Sequence, residues 1–342
     1  MRPLRALCTA LITGITLLTS LVPAVAAEPA VRCSEVELPV QFNGLLSETV
    51  HGTLCTPVGS SPRNIQLLVH GGTYNRHYWD LPYAEGKYSY QRDMARRGLA
   101  TFAIDCLGSG DSSRPLSALV TGSGQANVVH QVVGKLRAGA VGGTRYEKVA
   151  LVGHSMGSGI VLLAASTYHD VDGVVLTGMS HSMDLLALTG IFVEGIRPAL
   201  LDPVLGRRGL DPGYLTTMPG TRQVFHTGGA VEAAVVEADE LVKDQVAATV
   251  VADLLPFAFI SPLSRLIRVP VLIANGDKDN LFCALSCQDA ESLRRAEAPY
   301  FDEAARLSTH LVRGAGHAVA LGRDAALHRD GIAAWLKSTI GW

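Results

Sequence analysis

Along this chain, short runs of apolar residues alternate with longer stretches in which apolar positions recur every three or four residues. Ile65-Gln66-Leu67-Leu68-Val69 and Leu99-Ala100-Thr101-Phe102-Ala103-Ile104 are runs of the first kind, as are Val149–Val152, Val171–Thr177, Val269–Ala274 and Ser308–Val312. Near-continuous runs of this length read as strands covered on both faces. Helical spacing follows in Tyr88–Arg97, closed by Gly98, and in Gln125–Ala138, where Val128, Val129, Val132, Val133 and Leu136 share a face. Helices are also expected for Ile160–Ala165, Gln288–Ala296 and an amphipathic Asp324–Ile340. Strand alternating with helix predicts the α/β class, with a mostly parallel central sheet and helices on both faces. Residues 34–56 instead alternate apolar and polar positions around Asn43-Gly44, which predicts a pair of antiparallel edge strands.

The alternation stops from His181 to about residue 262. Helical segments Leu185–Gly195 and Gly229–Leu255 are expected here, separated by turns such as Asp211-Pro212-Gly213 and Pro219-Gly220. The stretch is too long for a connection in a compact domain, so residues 181–262 read as a helical cap inserted over the sheet, with helices merely packed at its side as the alternative. The apolar run Val246–Ile260 favours a cap, because it could line a substrate pocket. The core then falls into two parts, residues 27–180 and 263–342.

The chain has 342 residues, of which 48% are hydrophobic and 18% charged, enough to bury a large core. A formal charge of −2, without any Lys/Arg cluster, excludes a nucleic-acid partner. Residues 1–26 change the picture most. Arg2 and Arg5 precede an apolar run from Ala10 to Leu18, and Ala24-Val25-Ala26 supplies a cleavage pattern, so a signal peptide cut near Ala26 and a secreted product are expected. The run is short and broken by Gly14 and Thr16, which argues against a lasting membrane anchor. Export makes the remaining cysteines informative. Cys33–Cys55 and Cys283–Cys287 are the expected disulfides and Cys106 a buried free thiol, and the spacing does not suit a metal site.

Reactive candidates sit where the expected strands end. Val149–Val152 runs through Gly153-His154-Ser155-Met156-Gly157 into a helix, a turn so sharp that the serine backbone is expected to be strained and Gly153 and Gly157 to avoid collisions. The Met156 N–H then lies at a helix N-terminus, ready to stabilise an oxyanion. A serine nucleophile needs a base, and the base needs a carboxylate. Among eleven histidines only His317 follows the last strand directly, with small neighbours. The carboxylate is Asp277 or Asp279, which share one loop. His154 is expected to pack, His70 to brace the Gly71-Gly72 loop, and Asp105 to cap backbone N–H groups. Tyr74, Tyr78 and Trp79 either border the pocket or pack in the core.

These motifs, Val69-His70-Gly71-Gly72, Asp105-x-x-Gly108-x-Gly110-x-Ser112, Gly153-x-Ser155-x-Gly157, Gly276-x-x-Asp279 and Gly316-His317, resemble the capped branch of the α/β-hydrolase superfamily. With its export signal and extra cysteines the chain is also similar to secreted actinobacterial or fungal esterases and lipases. The resemblance implies a Ser155–His317–Asp279 triad, with Asp279 chosen because the family's acid stands three residues after the glycine. It puts the second oxyanion N–H at Gly72. The implied activity is cofactor-free hydrolysis of a small-molecule ester with an apolar portion, through an acyl-enzyme. Lactonase, carbon–carbon bond hydrolase and peptidase are alternatives with the same triad, and a non-catalytic ligand-binding protein is a further one. Epoxide hydrolases and haloalkane dehalogenases carry an aspartate where Ser155 stands.

Overall fold

The computed structural model describes residues 30–44, 46–256, 262–283 and 286–342; the expected signal segment 1–26 lies outside them. The chain opens with a hairpin of β1 (Val31–Phe42) and β2 (Leu46–Pro57). Asn43 (φ +50°) and Gly44 (φ +72°) begin its turn in the left-handed conformation that this dipeptide tolerates. Cys33 lies opposite Cys55 in the register, and the two form a disulfide. A second disulfide joins Cys283 to Cys287, and Cys106 is free and buried.

The expected alternation follows: β3 (Asn64–Val69), α1 (Tyr90–Arg96), β4 (Ala100–Ile104), α2 (Gly122–Ala138), β5 (Lys148–His154), α3 (Met156–Tyr168) and β6 (Gly173–Thr177). After an interruption it continues in β10 (Val271–Gly276), α7 (Ala290–Glu297), β11 (Ser308–Val312) and α8 (Ala325–Thr339). These strands and the hairpin form one eight-stranded sheet, ordered β1-β2-β4-β3-β5-β6-β10-β11. β1 pairs β2 and β2 pairs β4 antiparallel; the other neighbours are parallel.

Side chains alternate across the pleat, and the sheet therefore has a core on each face. Ile65, Leu67 and Val69 of β3 pack with the valines of α2 and with Ile160 and Val161 of α3. Leu68, with Ala150 and Val152 of β5, packs on the other side with Met94 of α1 and Ile332, Trp335 and Leu336 of α8. Every residue of β4, β6 and β10 is buried, which explains their unbroken apolar runs.

Between β6 and β10 lie α4 (Leu185–Gly190), a π-helical turn at Ile191–Gly195, β7 (Ile196–Pro198), β8 (Tyr214–Thr217), α5 (Ala233–Leu241), β9 (Val246–Ala247) and α6 (Ala248–Leu254). The segment is not purely helical, because β7, β8 and β9 form a small antiparallel sheet. Nor is Gly229–Leu255 one helix. It breaks at Asp244, whose buried carboxylate accepts bonds from Asn75 and Arg208 side chains and the Gly110 N–H, while its own N–H donates to the Thr73 carbonyl. These tertiary bonds replace the intrahelical ones that spacing alone suggests.

Burial pushes the fully enclosed His328 imidazole of α8 down to about 3. Below about pH 6.5 the unfolded chain takes up a proton there that the folded one refuses, so stability is full above that pH and declines on acidification toward pH 3. The loss from this one group is up to about 1.4 kcal/mol per pH unit. Thermal unfolding between pH 7.5 and 5 is therefore expected to show a falling midpoint, and His328→Leu a shallower fall. Equal slopes in both proteins would contradict this.

Candidate active site

The C-terminal ends of β3, β5, β10 and β11 carry the candidate residues to one edge of the sheet, with β6 between β5 and β10, where open parallel sheets bind ligands. β5 ends at His154, and Ser155 turns the chain into α3 with φ +51° and ψ −118°, a costly conformation for a residue with a Cβ. Its N–H donates to the Thr177 carbonyl at 2.8 Å, tying the turn to β6. The flanking glycines are needed for close approach. A Cβ on Gly153 would lie 2.5 Å from the Gly157 carbonyl oxygen, and one on Gly157 would lie 2.3 Å from that of Val69.

β11 leads to His317, which is 1% exposed. Its Nδ1 lies 3.0 Å from Asp279 Oδ2. The other carboxylate oxygen of Asp279 accepts the Leu281 and Phe282 N–H groups at 2.9 and 3.1 Å. With that carboxylate ionised, Nδ1 donates and Nε2 is left as the basic nitrogen. Asp277 does something else: its Oδ1 accepts the Gly314 N–H at 2.7 Å and its Oδ2 lies 3.7 Å from Lys278 Nζ, so it braces two loops. Gly276 lets those loops meet, since a Cβ there would come within 2.1 Å of the Ala315 carbonyl oxygen.

β3 leads to His70-Gly71-Gly72. His70 Nε2 accepts the Cys106 N–H at 3.0 Å, so Nδ1 carries the proton and donates to the Gly71 carbonyl at 2.8 Å. Burial lowers its pKa and keeps it neutral, suited to bracing the loop. Gly72 sits against Met156, within 3.6 Å of its sulfur for a notional Cβ. Met156 opens α3, and the first N–H groups of a helix have no intrahelical acceptor. His154 does not line the cavity, although its ring centroid lies 4.9 Å from that of His317. It stacks on Tyr78 with ring centroids 4.1 Å apart, and burial holds its pKa well below the usual histidine range. Asp105 accepts the Arg76 and Asp111 N–H groups at 2.7 and 2.9 Å and pairs with the Arg76 guanidinium.

Ser155, His317, Gly72 and Met156 all line one cavity of about 130 Å³. Apart from these residues and Thr73 its walls are apolar. Met183, Leu188 and Ile191 come from the start of the inserted segment, Val251 and Leu254 from α6, and Phe282 from the loop carrying Asp279. Val246, Val251, Leu254 and Leu255, all in the apolar run noted in the sequence, line it; residues 257–260 of that run lie outside the described residues. Tyr74, Tyr78 and Trp79 are buried in the core and do not line the cavity.

Beside the cavity is a feature that sequence reasoning missed. Arg222 and Asp239 are fully buried and bonded to each other at 2.9 Å. Asp239 lies among Glu237 and Glu240, a pattern that reads as a solvated helix face, so no local signal marks it. Among the described residues no group of three or more His, Cys, Asp or Glu could hold a metal ion, and no helix is long and apolar enough to cross a membrane.

The sequence profile of the alpha/beta hydrolase family matches residues 66–329. No curated protein sequence matches the chain. Among solved structures it is similar to a thermophilic esterase from Thermogutta terrifontis, with 16% identity over 89% of this chain and 99% of that one and a TM-score of 0.58. It is also similar to a putative aryl esterase from Burkholderia cenocepacia, with 16% identity over 90% and 100% of the two chains and a TM-score of 0.58. A bacterial membrane phospholipase A shares 19% identity over 89% and 87%, with a TM-score of 0.55.

Proposed function

The chain belongs to the alpha/beta hydrolase family, and from that premise we propose that it is a serine hydrolase cleaving carboxylic esters. The observation that carries the proposal is the His317–Asp279 bond of 3.0 Å beside a strained Ser155, with serine and histidine facing one apolar cavity. His317 Nε2 takes the proton of Ser155 Oγ as the oxygen attacks the ester carbonyl. The oxyanion that forms is held by the N–H groups of Met156 and Gly72, and Asp279 stabilises the imidazolium. His317 then gives its proton to the departing alcohol, leaving an acyl group on Ser155. Water, deprotonated by the same histidine, attacks that acyl group and releases the acid.

The walls narrow the substrate. Among the described residues no Asp, Glu, Lys or Arg side chain lines the cavity, so the group that enters it is uncharged and apolar. Structural similarity to esterases and to a phospholipase supports ester hydrolysis as the reaction class. The enzyme is assigned to an extracellular site, because two disulfides suit an oxidising compartment and the N-terminal segment reads as a signal.

Chromogenic esters graded in acyl length and charge test the reading, with a fluorophosphonate probe as a second arm. Turnover of uncharged alkyl esters is expected, with charged acyl groups refused and the probe mapping to Ser155 in a peptide digest. A protein inert toward every ester and unlabelled by the probe would be a binding protein, and the proposal would fall.

A further inference from the structure

The loop that carries Gly72 does not keep its shape unaided. Thr73 has φ +59°, a left-handed conformation that a β-branched residue holds only when its surroundings enforce it. The enforcement comes from more than a hundred residues away. Arg222 Nη1 donates at 3.0 Å to the Thr73 carbonyl oxygen and at 3.0 Å to its hydroxyl. That hydroxyl in turn donates to the Gly72 carbonyl at 2.6 Å. The Asp244 N–H reaches the same Thr73 carbonyl at 2.9 Å.

Arg222 is itself held. Asp239 Oδ1 accepts its Nη2 at 2.9 Å, while Oδ2 accepts from His226 at 3.1 Å and from the Tyr74 hydroxyl at 3.3 Å. The guanidinium carbon lies 3.8 Å from the Tyr74 ring centroid. Burial opposes the charge on Asp239, but Arg222 and His226 outweigh it and hold the carboxyl below its usual range. A buried ion pair returns little net stability compared with apolar side chains of equal volume. What an apolar pair could not do is grip the Gly72–Thr73 peptide.

On the esterase reading above, we infer that Arg222, held by Asp239, is a positioning residue of the oxyanion hole. It acts through Thr73 and keeps the Gly72 N–H aimed where negative charge develops. The inserted segment thus has two roles. Residues near α4 and α6 shape the cavity, while Arg222 and α5 lock the loop at its edge.

The test uses the mature chain and an ester that the wild type hydrolyses. Turnover lost in Ser155→Ala checks the esterase reading, and two other proteins check the positioning role separately. Arg222→Lys keeps a charge opposite Asp239 but lacks the planar fork. Arg222→Met with Asp239→Leu replaces the pair by apolar side chains. Rates are expressed per Ser155 titrated to completion with fluorophosphonate, so a destabilised variant still gives a reading from its folded fraction.

The expected result is a fall in kcat per site of about 10- to 100-fold, with KM changed less than about threefold. Affinity for an alkylboronic acid, whose adduct on Ser155 puts an oxygen at the oxyanion position, should fall in parallel. A purely structural pair would lower the titratable fraction and the thermal midpoint only. Wild-type kcat per site in both variants, or a loss confined to KM, would overturn the assignment.

Discussion

Ser155→Ala is expected to lower kcat for a chromogenic ester by roughly a million-fold, with the thermal midpoint moved by no more than a few degrees. The chemistry predicts the first effect. Without Oγ no acyl-enzyme forms, and the remaining groups can only orient the ester and polarise its carbonyl for attack by water. The fold predicts the second. Ser155 sits at φ +51° because Gly153 and Gly157 let α3 pass close to β3 and β5, and alanine meets the same backbone cost as serine. Steady-state rates, circular dichroism and thermal melts on the two proteins check both. A folded variant that keeps wild-type turnover would remove Ser155 from the mechanism.

Asp279→Asn should be nearly as damaging, at about 10⁴-fold in kcat, while Asp277→Asn should stay within about threefold of wild type. The two N–H groups at Asp279 Oδ1 explain the difference. They oblige an asparagine to keep its oxygen there, which turns its NH₂ toward His317. The imidazole must then accept at Nδ1 and carry its proton on Nε2, the tautomer that cannot deprotonate Ser155. Asparagine at 277 can still accept the Gly314 N–H through its oxygen, so the loop keeps its brace. Rates and pH profiles of both variants decide the matter. Should Asp277→Asn be the inactive one, the acid has been misassigned.

Much of this site was readable in one dimension because its parts are local. The Ser155 elbow is five residues of strand, turn and helix, and the collisions that demand Gly153 and Gly157 arise at once when a strand reverses into a helix packed on its neighbours. His317 and the loop of Asp277 and Asp279 were legible for a related reason, since parallel strands deliver their C-terminal ends to one edge wherever the chain alternates. The Cys33–Cys55 disulfide followed from pairing, because the two face each other across a hairpin whose turn is marked by Asn43-Gly44, and Cys283–Cys287 followed from their separation of four residues.

The inserted segment was harder to read. Helical spacing from residue 229 to 255 is present in the sequence, yet the helix breaks where Asp244 finds partners on the loops after β3 and β4. Arg222 and Asp239 resemble surface charges until the fold buries them together.

The sequence by itself thus determined the sheet, the order of the candidate residues along its edge and the hydrolase family, because hydrophobic period and turn residues act over a few neighbours. Only the tertiary structure decided which of two loop aspartates meets His317, how apolar the cavity is, and that a guanidinium from the inserted segment grips Thr73. Those outcomes depend on side chains far apart in the chain, whose charges and hydrogen bonds find their partners only after the sheet has brought them within about 3 Å.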